Sequence, residues 1–128
     1  HCIGGFHPFG ARQPGGSQRR SHGMFLGGTA KKASPEEAAE ALRQYQAPTA
    51  SRSLPSAPQP VIEVKSEDNR PQPRLDRMTG KGMTTVVGRV RKDPIFDLKM
   101  VVLSHNTIRG AAGGSIYNAE LLVELGLV

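Results

Sequence analysis

One cysteine, Cys2, stands in the whole chain, so no disulfide can form within it. That usage fits a reducing compartment. No run of 18 apolar residues occurs, which excludes a membrane-spanning helix on length. The first residues carry no apolar core of a secretion signal, so the expected location is cytoplasmic, with no membrane partner. The chain begins at His1 rather than a methionine and is read as part of a longer polypeptide. A phosphate-loop lysine and a full dinucleotide fingerprint are both missing.

Acidic residues are absent from positions 1–32, which hold Arg12, Arg19, Arg20, Lys31 and Lys32. The rest of the chain carries 12 basic and 11 acidic side chains and is nearly neutral. The net charge of +6 is therefore a property of one end. A basic, Gly-rich tail can bind nucleic acid through phosphates, but Phe6, Phe9 and Phe25 form no stacking platform with the arginines. A solvated tail is the simpler reading, and no nucleic-acid partner is expected. His1, Cys2, His7 and His22 match no zinc spacing, so no metal is expected.

Residues 1–30 show neither helical nor strand periodicity, and eight glycines interrupt every run. Met24-Phe25-Leu26 has the character of a short strand. Ser34-Pro35-Glu36-Glu37 has the form of a capping box with proline in the first turn. Ala38, Ala41, Leu42 and Tyr45 follow on one helical stripe, which predicts a helix over 35–46. Residues 47–60 are loop, extended by Pro48, Pro55, Pro58 and Pro60. Val61–Lys65 predicts a short strand. Pro71 and Pro73 argue against helix in 68–77. There Arg70, Arg74 and Arg77 form either a clamp for a carboxylate or phosphate or ion pairs with Asp68 and Asp76. Met83–Arg91 and Phe96–Leu103 predict two strands joined as a hairpin.

The last stretch carries the most information. An apolar strand ends at Leu103, a polar corner follows over Ser104–Asn106, and a helix opens with Gly110, Ala111, Ala112, Gly113, Gly114 and Ser115. Small residues at a helix start either admit an anionic ligand to unpaired N–H groups or permit close packing on a sheet. Packing is the simpler reading on physics alone. Ile108, Ala112, Ile116, Ala119 and Val123 continue as one stripe, and Gly126 marks a stop near Leu125.

Leu103-Ser-His-Asn-Thr-Ile-Arg-Gly-Ala-Ala-Gly-Gly-Ser-Ile116 with Asn118-Ala-Glu-Leu-Leu122 resembles the C-terminal end of the aspartate-semialdehyde dehydrogenases, in their archaeal and fungal branch. Arg70-Pro-Gln-Pro-Arg-Leu-Asp-Arg77, Val87-Gly-Arg-Val-Arg91, Phe96-Asp-Leu-Lys99 and the helix Ser34–Tyr45 are similar in the same order. The resemblance implies an α/β (α+β) fold with a mixed or antiparallel sheet and two main helices, forming part of a dimerisation domain. It implies an NADP-dependent oxidoreductase of amino-acid biosynthesis that reduces aspartyl phosphate to aspartate semialdehyde. The implied partner is a second copy, as a homodimer or tetramer. Residues 1–30 lie outside the resemblance, 31–103 form part of the dimerisation domain, and 104–128 form the helix that returns to the NADP-binding domain. Asn106 and Gly110 match positions expected to face NADP. Cys2 and His22 lie in segments unlike the family's nucleophile and base motifs, so neither inherits a catalytic role. This portion alone is expected to be inactive, with its last helix displaced, exposed or borrowed by a neighbouring chain. The alternatives are a stand-alone dimerising module and a basic-tailed nucleic-acid binder.

Overall fold

The computed structural model describes residues 21–28 and 32–128. The basic tail with His1, Cys2 and His7 lies outside the described residues. A four-stranded mixed sheet runs in the order β1-β4-β3-β2, with β1 at Ser21–Gly27, β2 at Ile62–Val64, β3 at Thr85–Lys92 and β4 at Leu98–Ser104. β4 pairs antiparallel with both β1 and β3, while β2 runs parallel to β3. Val86 opposite Leu103 and Val87 opposite Val102 put apolar side chains on both faces. Val86 and Leu103 are essentially inaccessible to solvent. The expected hairpin is therefore the centre of the sheet, and it is buried at Val86, Val87, Leu98 and Leu103.

Helix α1, Pro35–Arg43, lies along β2 and β3 on one face. Its start is as the sequence predicts. The Ser34 hydroxyl accepts from the Glu37 N–H at 3.1 Å, and Glu37 Oε2 accepts from the Ser34 N–H at 2.8 Å. Its buried position differs. Ala39 is buried, Ala38 and Leu42 are half-buried, and Ala41 and Tyr45 are exposed. The helix is rotated from the expected stripe because it packs along β2 and β3, which buries Ala39 and leaves Ala41 and Tyr45 beside Leu98 and Met100 at the start of β4.

The parallel pairing of β2 and β3 requires a crossover, formed by residues 65–84. It contains a one-turn helix, α3 (Pro73–Asp76), where the two prolines argued against any helix, and a 3-10 segment at Thr79–Gly82. Pro73 stands at the start of that turn, where its missing N–H would have no partner anyway. A second short helix, α2 (Thr49–Arg52), interrupts the expected loop of 47–60. There Ser51 N–H and Oγ both donate to the Pro48 carbonyl, at 3.0 and 2.9 Å.

β3 departs from simple alternation. Two residues, Arg89 and Val90, stand opposite the single residue Met100, between the pairs Gly88–Val101 and Arg91–Lys99. Arg89 has φ of 53°, the left-handed region that favours glycine. Arg89→Gly is therefore expected to raise stability by about 1 kcal/mol, measured by denaturant unfolding.

Candidate functional site: the polar corner after the last strand

The corner is built by backbone geometry at the end of β4. Ser104 closes the strand, and a five-residue π turn, Ile108–Ala112, leads into α4, Gly113–Glu124. His105 organises it. Its side chain is buried, its Nδ1 accepts from the Ile108 N–H at 3.2 Å, and its carbonyl accepts from the Gly110 N–H at 3.1 Å. The Ala112 N–H is taken by the Thr107 carbonyl at 3.0 Å. Sequence reasoning passed over His105; the available signal was a hydrogen-bonding side chain three residues before Ile108, the offset at which side chains cap helix starts.

Asn106 and Gly110 come together. A Cβ on Gly110 would lie 3.9 Å from Asn106 Cβ, in ordinary contact and against nothing else but the His105 carbonyl. Packing therefore does not require glycine at position 110, and its smallness faces outward. Gly113 and Gly114 differ. A Cβ on Gly113 would meet Met83 Sδ at 2.7 Å and the Ile108 carbonyl at 2.9 Å, and one on Gly114 would meet the Arg109 carbonyl at 2.5 Å. Those two glycines serve packing. The Gly113 N–H donates to the Ile108 carbonyl, so it does not offer the free donor that an anion cradle would need. At the corner, Asn106 lies beside an open glycine, and its Oδ1 accepts from the Thr107 hydroxyl at 3.5 Å.

Helix α4 is tied down by polar contacts rather than by its apolar stripe. The Tyr117 hydroxyl donates to the Ser51 carbonyl at 2.9 Å. Glu120 takes both the Ser56 N–H at 2.9 Å and the Ser56 hydroxyl at 2.7 Å. Arg109 lies 6.0 Å from the Tyr117 ring centre. No residue of α4 is buried; Ile116, Leu122 and Val123 are exposed, as are Leu125, Leu127 and Val128 beyond it. The helix is exposed as expected, yet anchored to α2 and the loop after it. Glu120→Gln removes one of two acceptors for Ser56, so it is expected to cost about 1 kcal/mol and to speed amide exchange selectively across 113–124.

The arginines of the crossover separate. Arg70 donates through Nε to Asp76 Oδ2 at 2.8 Å and through Nη2 to Oδ1, a forked pair. The Gln72 N–H adds a third bond to the same carboxylate at 2.6 Å. Asp76 is 2% exposed. The Arg70 guanidinium holds the Asp76 carboxyl below its usual range against the opposing effect of burial, and the Gln72 N–H adds to that lowering. Arg74 is exposed and Arg77 half-buried, and neither makes an ion pair among the described residues. The ion-pair reading holds for Arg70 with Asp76, and the three arginines do not converge as a clamp. Among the described residues no cluster of His, Cys, Asp or Glu could hold a metal, and no helix is long and apolar enough to cross a membrane.

This architecture has known relatives. An aspartate-semialdehyde dehydrogenase of Archaeoglobus fulgidus is 59% identical over 71 residues, covering 56% of this chain and 21% of the relative. One from Aspergillus fumigatus is 50% identical over 98 residues, covering 74% of this chain and 27% of the relative. The crystal structure of the Candida albicans aspartate-semialdehyde dehydrogenase with NADP superposes with a TM-score of 0.70 at 40% identity, over 84% of this chain and 31% of that one. The chain thus spans roughly a quarter of the length of the curated relatives it matches. The semialdehyde dehydrogenase dimerisation domain matches residues 25–109, from β1 through the polar corner into the π turn. The chain belongs to the semialdehyde dehydrogenase family, through its dimerisation domain.

Proposed function

We propose that this chain is the dimerisation-domain portion of an NADP-dependent aspartate-semialdehyde dehydrogenase, the enzyme that reduces aspartyl phosphate to aspartate semialdehyde and releases phosphate. The match over 25–109, together with 50% identity to a relative so named, carries the reading. NADP is the cofactor named with the Candida albicans relative. When bound, it would supply the hydride.

Within such an enzyme, Asn106 lies at the cofactor-facing edge, and Gly110 leaves room beside it. The fit is that of one edge of a site. The remaining contacts, the thiolate nucleophile and the acid–base partner belong to the rest of the enzyme. The chain's own contribution is self-association. Met24 lies opposite Val101, with Leu26 two residues on, on the sheet face not taken by α1; Met24 is exposed and Val101 and Leu26 are half-covered. Apolar area of this kind favours burial against a second copy.

Two measurements test the proposal. The 128-residue chain should sediment as a dimer at micromolar concentration and should not oxidise NADPH in the presence of aspartyl phosphate. A monomer at every concentration removes the association, and turnover by this chain removes the assignment of the chemistry to the remainder of the enzyme. Residues 25–128 should also replace their counterpart in the Candida albicans enzyme with activity retained. In that chimera Asn106→Ala is expected to raise KM for NADPH about tenfold with kcat little changed. An unchanged KM would take Asn106 out of the cofactor site.

A further inference from the structure

Arg89 joins three observations that the family reading leaves unused. Its backbone is left-handed at a bulge where glycine is the ordinary occupant. Its side chain is exposed and makes no ion pair among the described residues. It also lines a cavity of about 450 Å³ between α1 and the end of β2, within the size range of small-molecule sites. A strained, charged residue at the mouth of a cavity is a reason to look for a ligand.

The cavity's composition narrows the ligand. Its wall includes Ala39, Val64 and Val90, and its rim carries Glu36, Glu67 and Asp68. The other two cations lining it already have partners, Arg43 with Glu40 and Lys65 with Glu63. One guanidinium without an ion pair among the described residues therefore shares the cavity with three carboxylates that form no ion pair there, although Glu67 also lies within electrostatic reach of Arg70. A plain anion would satisfy Arg89 and meet the acids; a plain cation would do the reverse. A small molecule carrying both charges satisfies both sides.

We propose that this cavity binds a free α-amino acid with an aliphatic side chain. Arg89 takes the carboxylate, for which its forked donors are suited. Glu36, Glu67 and Asp68 surround the ammonium, and the side chain lies on Ala39, Val64 and Val90. The site shares no lining residue with the corner at Asn106 and does not depend on the assignment of that corner.

The test is a titration of the isotopically labelled 128-residue chain, followed by amide NMR, with L-norleucine, hexanoate and hexylamine as probes. Norleucine should produce saturable shifts at Ala39, Val64–Asp68 and Arg89, with hexanoate and hexylamine at least about tenfold weaker. Arg89→Gly should keep the melting temperature at or above that of the parent, because glycine suits the backbone there, while norleucine affinity falls at least about tenfold. Loss of binding in a variant that remains folded thus separates recognition from folding. Norleucine binding unchanged by Arg89→Gly, equal shifts from hexanoate or hexylamine, or no shift up to about 50 mM would each overturn the proposal.

Discussion

Gly88→Ala is expected to destabilise the chain by about 3 kcal/mol, read as a fall in the urea midpoint without a change in slope. The cause is a close approach in the middle of the sheet. A Cβ at position 88 would lie 2.5 Å from the Arg70 carbonyl oxygen and 2.9 Å from Pro71 Cδ. Both neighbours are rigid: one is backbone and the other a proline ring. Neither can rotate away as the tip of a long side chain would. Relief requires the crossover to lift from β3, and that crossover carries the Arg70–Asp76 pair. The damage should therefore spread beyond the site. A loss under about 1 kcal/mol would show that the crossover yields easily and that its position is not set by Gly88.

Asp76→Asn is expected to cost about 2–3 kcal/mol at neutral pH. The buried carboxylate accepts two bonds from Arg70 and one from the Gln72 N–H. The amide keeps the shape but loses the charge and replaces an acceptor by a donor facing donors. The pH dependence carries the diagnosis. Because the folded carboxyl is held below its ordinary value, its contribution is fully present above the unfolded pKa of about 4 and is lost as pH falls through the lowered folded value. The difference between parent and variant should thus be constant near neutrality and shrink in acid. A difference that persisted unchanged to low pH would mean that packing, not the ionised pair, sets the cost.

Much of the candidate corner is legible in the sequence. The end of β4 near Leu103, the polar corner and the helix after it follow from an apolar run meeting polar and then small residues. Asn106 and Gly110 came from likeness to a family, and the structure sets them side by side. The roles of the glycines were not separable in sequence. Gly110 has open space where a side chain would stand, whereas Gly113 faces Met83 and Gly114 faces its own preceding turn. Distinguishing them requires knowing what crosses nearby, and Met83 arrives from a distant segment. His105 escaped notice because its buried acceptor role depends on the π turn folding back onto it. Tyr117 with Ser51 and Glu120 with Ser56 join residues more than 60 apart in sequence, beyond any local pattern.

Local chemistry alone determined the start of α1, the central hairpin and the strand-to-helix corner, because capping and side-chain alternation act within a few residues. It also determined that the excess charge belongs to the first 32 residues. Only the tertiary structure decided which side of α1 is buried, since packing along β2 and β3 chose Ala39 above the helix's own apolar stripe. Only it decided that Arg70 is matched to Asp76 while Arg74 and Arg77 are not, because one turn at Pro73 brings a single carboxylate to a single guanidinium. The bulge at Arg89 was likewise invisible in sequence. An alternating strand carries no mark of one extra residue until its partner strand sets the register.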